Sequence, residues 1–182
     1  MSVTDALTSR RSHPRLSEPA PDDAELLALI EAAASAPDHG RLRPWRLIVL
    51  RGSGREKLGE AMAADRPLTE RPRQLAKALR APLLVSIVFC PVTGSKVPRW
   101  EQLSTIASIV YGLSLALHGH GYASIWRTGD LLSAPSVRGF LDLAPAEELL
   151  GWLFVGTPSD GQAPGPRPVI DMVTKVAFHD ER

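Results

Sequence analysis

"AAASAPDHGRLRPWRLIVL", residues 32–50, holds a helix end, a charged turn and a strand start in nineteen positions. The alanine-rich run stops at Pro37, and Trp45 leads into the β-branched run "RLIVL" before Gly52. Between them lie an acid, a histidine, a glycine and two arginines, a set that suits a metal site, part of a catalytic triad, a phosphate loop or a solvated connection. A helix that gives way to a strand across one polar turn predicts a chain in which both element types share a core.

The pattern repeats outward from there. "SEPAPDDAELLALIEAAASAP" (17–37) reads as a helix with Asp22 as N-cap, Glu25 completing a capping box, and Leu26, Leu27, Ile30, Ala33 and Ala34 on its apolar face. Residues 46–52 read as a strand, and a helix restarts at Ser53. "RPRQLAKALRAP" (71–82) predicts a short amphipathic helix with a basic outer face, and "PLLVSIVFC" (82–90) a central strand. Residues 100 to 118 predict a helix apolar around most of its circumference, so buried in the core or in a subunit interface, with Ala107, Ser108, Gly112 and Ser114 permitting close backbone approach. "YASIWRTG" (122–129), residues 151–156 and "VTKVAF" (173–178) predict further strands, and "APSVRGFLDL" another helix. The elements do not alternate strictly as strand and helix, which points to an α+β fold of helices packed on a small sheet.

The 182 residues suit one domain with a substantial core. Twenty-one basic and twenty acidic side chains leave a net charge of +1, so no global field calls for nucleic acid. One cysteine, Cys90, excludes an intrachain disulfide and argues against a thiolate zinc site. The N-terminus lacks the apolar core of a secretory signal, and the one long apolar stretch is interrupted and short of a membrane span, so the expectation is a soluble cytoplasmic protein.

Chemistry-bearing residues gather in five places. Arg10, Arg11 and Ser12 put two guanidinium groups and a hydroxyl at a helix end, matching phosphate. "GSGRE" (52–56) is followed by Lys57 where a dinucleotide fingerprint needs its third glycine. His118 and His120 in "HGHG" have no further ligand nearby, which favours a helix C-terminus over a metal site. Trp126, Arg127 and Thr128 at a strand end suit a flat aromatic ligand. Arg167 stands between two prolines and offers another phosphate partner.

These segments, in order and at their spacing, resemble the nitroreductase family, most closely its small single-domain members. The resemblance rests on "RRSHPRLSEPAP", "AAASAPDHGRLRPWRLIVL", "KVPRWEQ", "GYASIWRTG" and "GWLFVGTP", and runs over nearly the whole chain. It implies a nitroreductase-like α+β fold with a small central mixed sheet, one FMN-binding domain over residues 1–182, and an intertwined homodimer with FMN at the interface. By the same resemblance Arg10, Arg11, Ser12, Ser35, His39, Trp126, Arg127, Thr128 and Arg167 fall on cofactor-binding segments, Ser35 and His39 reaching the flavin of the other subunit. Ala116, Leu117, His118, Gly119, His120 and Gly121 match a segment assigned to the nicotinamide nucleotide. The implied reaction passes hydride from NAD(P)H to flavin N5 and on to an electron-poor acceptor such as a nitroaromatic or quinone, by ping-pong kinetics and with no side-chain nucleophile or metal. A flavin enzyme of another outcome (dehalogenation, azoline oxidation, flavin fragmentation) and a non-catalytic dimeric FMN-binding protein are the alternatives.

Overall fold

A computed structural model describes residues 2–159 and 167–179. Six helices and five strands follow in the order α1 (Val3–Ser9), β1 (Leu16–Ser17), α2 (Asp23–Ala33), β2 (Trp45–Leu50), α3 (Gly52–Ala64), α4 (Arg71–Ala78), β3 (Leu83–Phe89), α5 (Arg99–Gly119), β4 (Ala123–Arg127), α6 (Pro135–Phe140) and β5 (Glu148–Pro158). The α+β class holds. Every pairing between named strands is antiparallel, so the sheet is not the mixed one expected. The parallel element is a single bridge, Ser12 to Ser124, which ties the arginine segment to β4.

β5 is the centre of the sheet: β3 lies on one side, β4 on the other, and β1 pairs with its last residues. β3 is buried along its whole length, as its apolar sequence, interrupted only by Ser86, requires, and β2 forms the outer edge beyond it. Two cores result. α3, α4 and α6 cover one face through Leu58, Met62, Ala78 and Val137 against Leu84, Val88, Trp152 and Phe154. α2 and α5 cover the other through Leu26, Leu29, Ile106, Ile109, Leu113 and Leu117 against Val85, Ile87 and Leu153. Each Leu, Ile, Val, Met or Phe among them contributes about 1.5–3 kcal/mol on full burial.

Local signals explain the element ends. Asp22 accepts from the Glu25 N–H at 2.8 Å, but the Glu25 carboxylate takes the Tyr122 hydroxyl at 2.7 Å, so the capping box is only half formed. Leu27, expected on the apolar face of α2, is exposed, and Leu29 is buried instead. Gly59 lets α3 approach α4 so closely that a Cβ there would lie 3.0 Å from the Leu75 carbonyl. Buried Gln102 fastens the loop before α5, accepting from the Val92 N–H and donating to the Val92 and Val97 carbonyls. "VTKVAF" forms no strand: Met172–Thr174 is a 3₁₀ turn, and Val173, Val176 and Phe178 are exposed.

Candidate functional site

α1 is a seven-residue helix started by a Ser2–Asp5 capping box, and it delivers two arginines to its C-terminus. The Arg11 guanidinium donates to the carbonyls of Thr8, Ser9 and Arg10 at 2.6, 3.1 and 3.1 Å, a cation on the negative end of the helix. The Arg10 guanidinium sits over the Tyr111 ring of α5, 5.9 Å from its centroid. Both side chains have a buried Nε with no hydrogen-bond partner among the described residues. Arg167 reaches the same place from the far end of the chain, donating to the Arg10 carbonyl at 2.6 Å. None of the three arginines pairs with a carboxylate among the described residues.

His118, near the end of α5, joins this cluster through Ser9 Oγ at 2.7 Å. Burial, and then the charges of Arg10, His13 and Arg11, push its imidazole below its ordinary value. The neighbouring guanidinium groups make the local potential positive, an arrangement that suits an anion. Beside it, a groove of about 200 Å³ runs between α5 and β4, lined by Arg10, Ser12, Tyr111, Ser114, Ser124 and Trp126. Tyr111 and Ser124 are members that the sequence did not single out, and Ser114 stood out there only as a small residue permitting close backbone approach.

Trp126 is fixed in this groove. Its indole N–H donates to the Leu150 carbonyl at 3.1 Å, and a Cβ on Gly151 would lie 2.6 Å from that nitrogen. Gly151 also holds φ +131°, a conformation that favours glycine. Arg127 points the other way, its guanidinium over Phe154 in the α3/α4 core, because successive strand residues face opposite sides. Its side chain therefore stands apart from the Arg10 cluster. Thr128 follows at the strand end, just before Gly129.

The turn after α2 is far from these residues. Asp38 accepts from the Leu42 and Arg43 N–H groups at 3.1 and 2.8 Å, and Gly40, Arg41 and Arg43 all hold positive φ. His39 meets Glu101 at the start of α5, Nδ1 to Oε2 2.6 Å. Ser35 donates to the Ala32 carbonyl at 2.8 Å. His118 and Glu101 occupy opposite ends of one helix, about 26 Å apart along its axis at about 1.5 Å per residue. One chain thus carries these two groups of residues at separate places.

Of the stretch 116–121, Leu117 is fully buried, Ala116 and His118 are half-buried, and Gly119, His120 and Gly121 are exposed. Gly121, at φ +86°, closes the helix. No group of three or more His, Cys, Asp or Glu could hold a metal among the described residues. The Cys90 thiol is pushed up to about 11 by burial and by its hydrogen bond to Glu147, 3.2 Å away, which makes it a poor nucleophile. No helix among the described residues is long and apolar enough to cross a membrane.

This fold is met among known proteins. The chain is similar to "Putative NAD(P)H nitroreductase YdjA" of Escherichia coli (strain K12), 32% identical over 93% of this chain and 98% of the relative. A second relative, "Putative NAD(P)H nitroreductase" of Haemophilus influenzae, is 31% identical over 86% of this chain and 89% of its own length. The fold is that of a nitroreductase-like family protein from Bacillus cereus, with a TM-score of 0.88, 20% identity, and 100% and 97% of the two chains covered. It is also that of the FMN-dependent nitroreductase NfnB from Mycobacterium smegmatis in complex with NADPH, with a TM-score of 0.77, 17% identity, and 97% of each chain covered. The nitroreductase family model matches residues 7–157, and the chain belongs to the nitroreductase family.

Proposed function

We propose that this chain is an FMN-dependent NAD(P)H oxidoreductase, active as a homodimer, that reduces an electron-poor acceptor such as a nitroaromatic or quinone with ping-pong kinetics. FMN, when bound, supplies the ring that takes hydride from NAD(P)H and reduces the acceptor. The chain's own residues supply position and charge. Arg10, Arg11 and Arg167 hold the phosphate: the Nε groups of Arg10 and Arg11 have no partner among the described residues, and the mutual repulsion of the three cations leaves a cradle that an anion would neutralise. Ser12 and Ser124 offer hydroxyls along the groove, and Trp126 packs the ring.

The observation that carries the reading is the separation of the half-sites on α5. Ser35 and His39 cannot reach a mononucleotide held by Arg10 of their own chain, so they serve a second one. Between the two ends, α5 exposes a stripe of Trp100, Ser104, Ala107, Ser108 and Tyr111. A two-fold axis at this stripe would bring the partner subunit's His39 toward Arg10, and the small residues allow the helices to pack closely. The exposed apolar side chains of Val169, Ile170, Val173 and Phe178 have no core of their own, which favours a C-terminal segment that wraps the partner. The arms of such an intertwined dimer also account for the unpaired outer edge of β2.

The test is a visible spectrum of the purified protein, supplemented with FMN, before and after NADPH or NADH. A bound-flavin spectrum bleached within seconds supports the reading. Protein that binds no FMN, or bound flavin that neither nucleotide bleaches within minutes, overturns it.

A further inference from the structure

One side-chain contact ties the turn after α2 to the start of α5: His39 Nδ1 lies 2.6 Å from Glu101 Oε2. Its two members are held unequally. Glu101 stands in the first turn of α5, where the helix N-terminus favours its negative charge, and its side chain is 27% exposed. The next residue, Gln102, is buried and fastened to Val92 and Val97, so the carboxylate rides on a rigid base. The His39 side chain is 69% exposed. The imidazole is the presented member of the pair and the carboxylate the supporting one.

The turn holds its shape through other bonds. Asp38 accepts the Leu42 and Arg43 N–H groups through its carboxylate and the Arg41 N–H through its carbonyl, the last at 3.0 Å. Gly40 packs on the loop before α5, where a Cβ on it would lie 3.5 Å from the Val97 side chain. Arg41 and Arg43, at φ 52° and 48°, hold conformations that persist only where the surroundings impose them. An exposed ion pair adds little stability to a turn so fixed. Its consequence is for the ring. A carboxylate only accepts, so His39 Nδ1 carries the hydrogen and donates it. In the neutral imidazole Nε2 is then a bare acceptor, and Glu101 sets the tautomer. Nε2 makes no hydrogen bond among the described residues.

We propose that Glu101 is a positioning residue of the shared site. It holds His39 as the Nδ1–H tautomer, so that Nε2 accepts a hydrogen bond from a ribityl hydroxyl or ring N–H of the FMN bound by the other chain. The orientation of His39 stands on the contact itself; its use toward FMN rests on the shared-site reading. The acid of "KVPRWEQ" thereby acts through a histidine from a distant part of the sequence.

The experiment has two arms, applied to wild-type protein, Glu101→Gln, Glu101→Ala, His39→Ala and the double variant His39→Ala/Glu101→Ala. Nitrogen-15 NMR of the FMN-free protein at about pH 8, where an ordinary imidazole is neutral, reads the His39 tautomer, and His39→Ala assigns its signals. Fluorescence titration reads FMN affinity, with sedimentation and circular dichroism to confirm that each variant keeps its assembly and fold. The wild-type ring is expected as Nδ1–H. Glu101→Gln, whose amide oxygen still accepts, should keep that form, and Glu101→Ala should release the ring to a mixture of tautomers. FMN affinity should fall about fivefold in Glu101→Ala, the worth of one neutral hydrogen bond, and stay near wild type in Glu101→Gln. The double variant should bind FMN no more weakly than His39→Ala, because Glu101 acts only through His39. Equal losses in both Glu101 variants would make the residue a charge or a helix start only, and overturn the proposal. A wild-type Nε2–H ring, a tautomer indifferent to Glu101→Ala, or additive losses in the double variant overturn it too. Unchanged FMN affinity in His39→Ala would take His39 out of the flavin site and the proposal with it. If wild-type protein binds no FMN, the flavin reading fails, while the NMR arm still decides whether Glu101 orients His39.

Discussion

The Arg167 guanidinium donates to the Arg10 carbonyl across 2.6 Å and joins the two ends of the chain at one cationic corner. The corner has donors to spare and, among the described residues, no acid paired with them. Replacing Arg10 by Ala should weaken FMN binding by roughly 1–3 kcal/mol, the worth of a charge-assisted hydrogen bond. Arg167→Ala should act in the same direction. A fluorescence titration of FMN measures both, and unchanged affinity in Arg10→Ala would remove the phosphate role.

His118 gives a second readout of the same corner. Its imidazole is held below the ordinary value by burial and by Arg10, His13 and Arg11. A bound phosphate would offset those charges and favour the imidazolium, so the His118 titration should move up when FMN binds. The midpoint can be followed by NMR of the imidazole ring. A midpoint that stays fixed or falls on saturation contradicts the placement of the phosphate at this corner.

Gly151 and Trp126 are matched in space. An alanine at 151 would hold φ +131° and press its Cβ against the indole nitrogen, 2.6 Å away. Gly151→Ala should cost about 1–3 kcal/mol of stability, as strained backbone does, and shift the tryptophan emission. Chemical denaturation followed by fluorescence checks both. A variant as stable as the parent would show that the sheet relaxes there freely.

Arg46 grips Glu147 through Nε and Nη2, each at 2.7 Å, beneath the cysteine. With a further N–H from Ala144, this holds the Glu147 carboxyl down to about 2, against an ordinary 4.5. The folded value lies below the unfolded one, so the unfolded state binds the extra proton as pH falls. The stabilisation is complete above about pH 4.5 and is lost between there and about pH 2. Glu147→Gln should remove that component, giving a flatter stability profile in this window. An unchanged slope would assign the acid sensitivity to other groups.

Much of this fold was legible because its elements carry strong periodicity. The largely apolar run of β3 and the nearly all-round apolar α5 fall within a residue or two of their expected bounds. β5 extends back to Glu148, past the expected start at Gly151, because pairing with Phe89 extends the strand through residues that look like a loop. "VTKVAF" has strand composition but no neighbour within its own chain, and composition cannot supply one. The arginine corner was visible as a motif, since Arg10 and Arg11 are adjacent. The pairing of His39 with Glu101 was not: the two stand 62 positions apart, and only the packing of the turn on the start of α5 brings them together. Strand alternation alone did carry one further signal, that Trp126 and Arg127 face opposite sides.

The central claim is that each flavin site is shared between two chains, because Arg10 and His39 stand at opposite ends of α5. Native mass spectrometry of the FMN-loaded protein tests this directly. The account predicts a dimer carrying two FMN molecules, with flavin lost whenever the dimer dissociates. A monomer that retains FMN would contradict it.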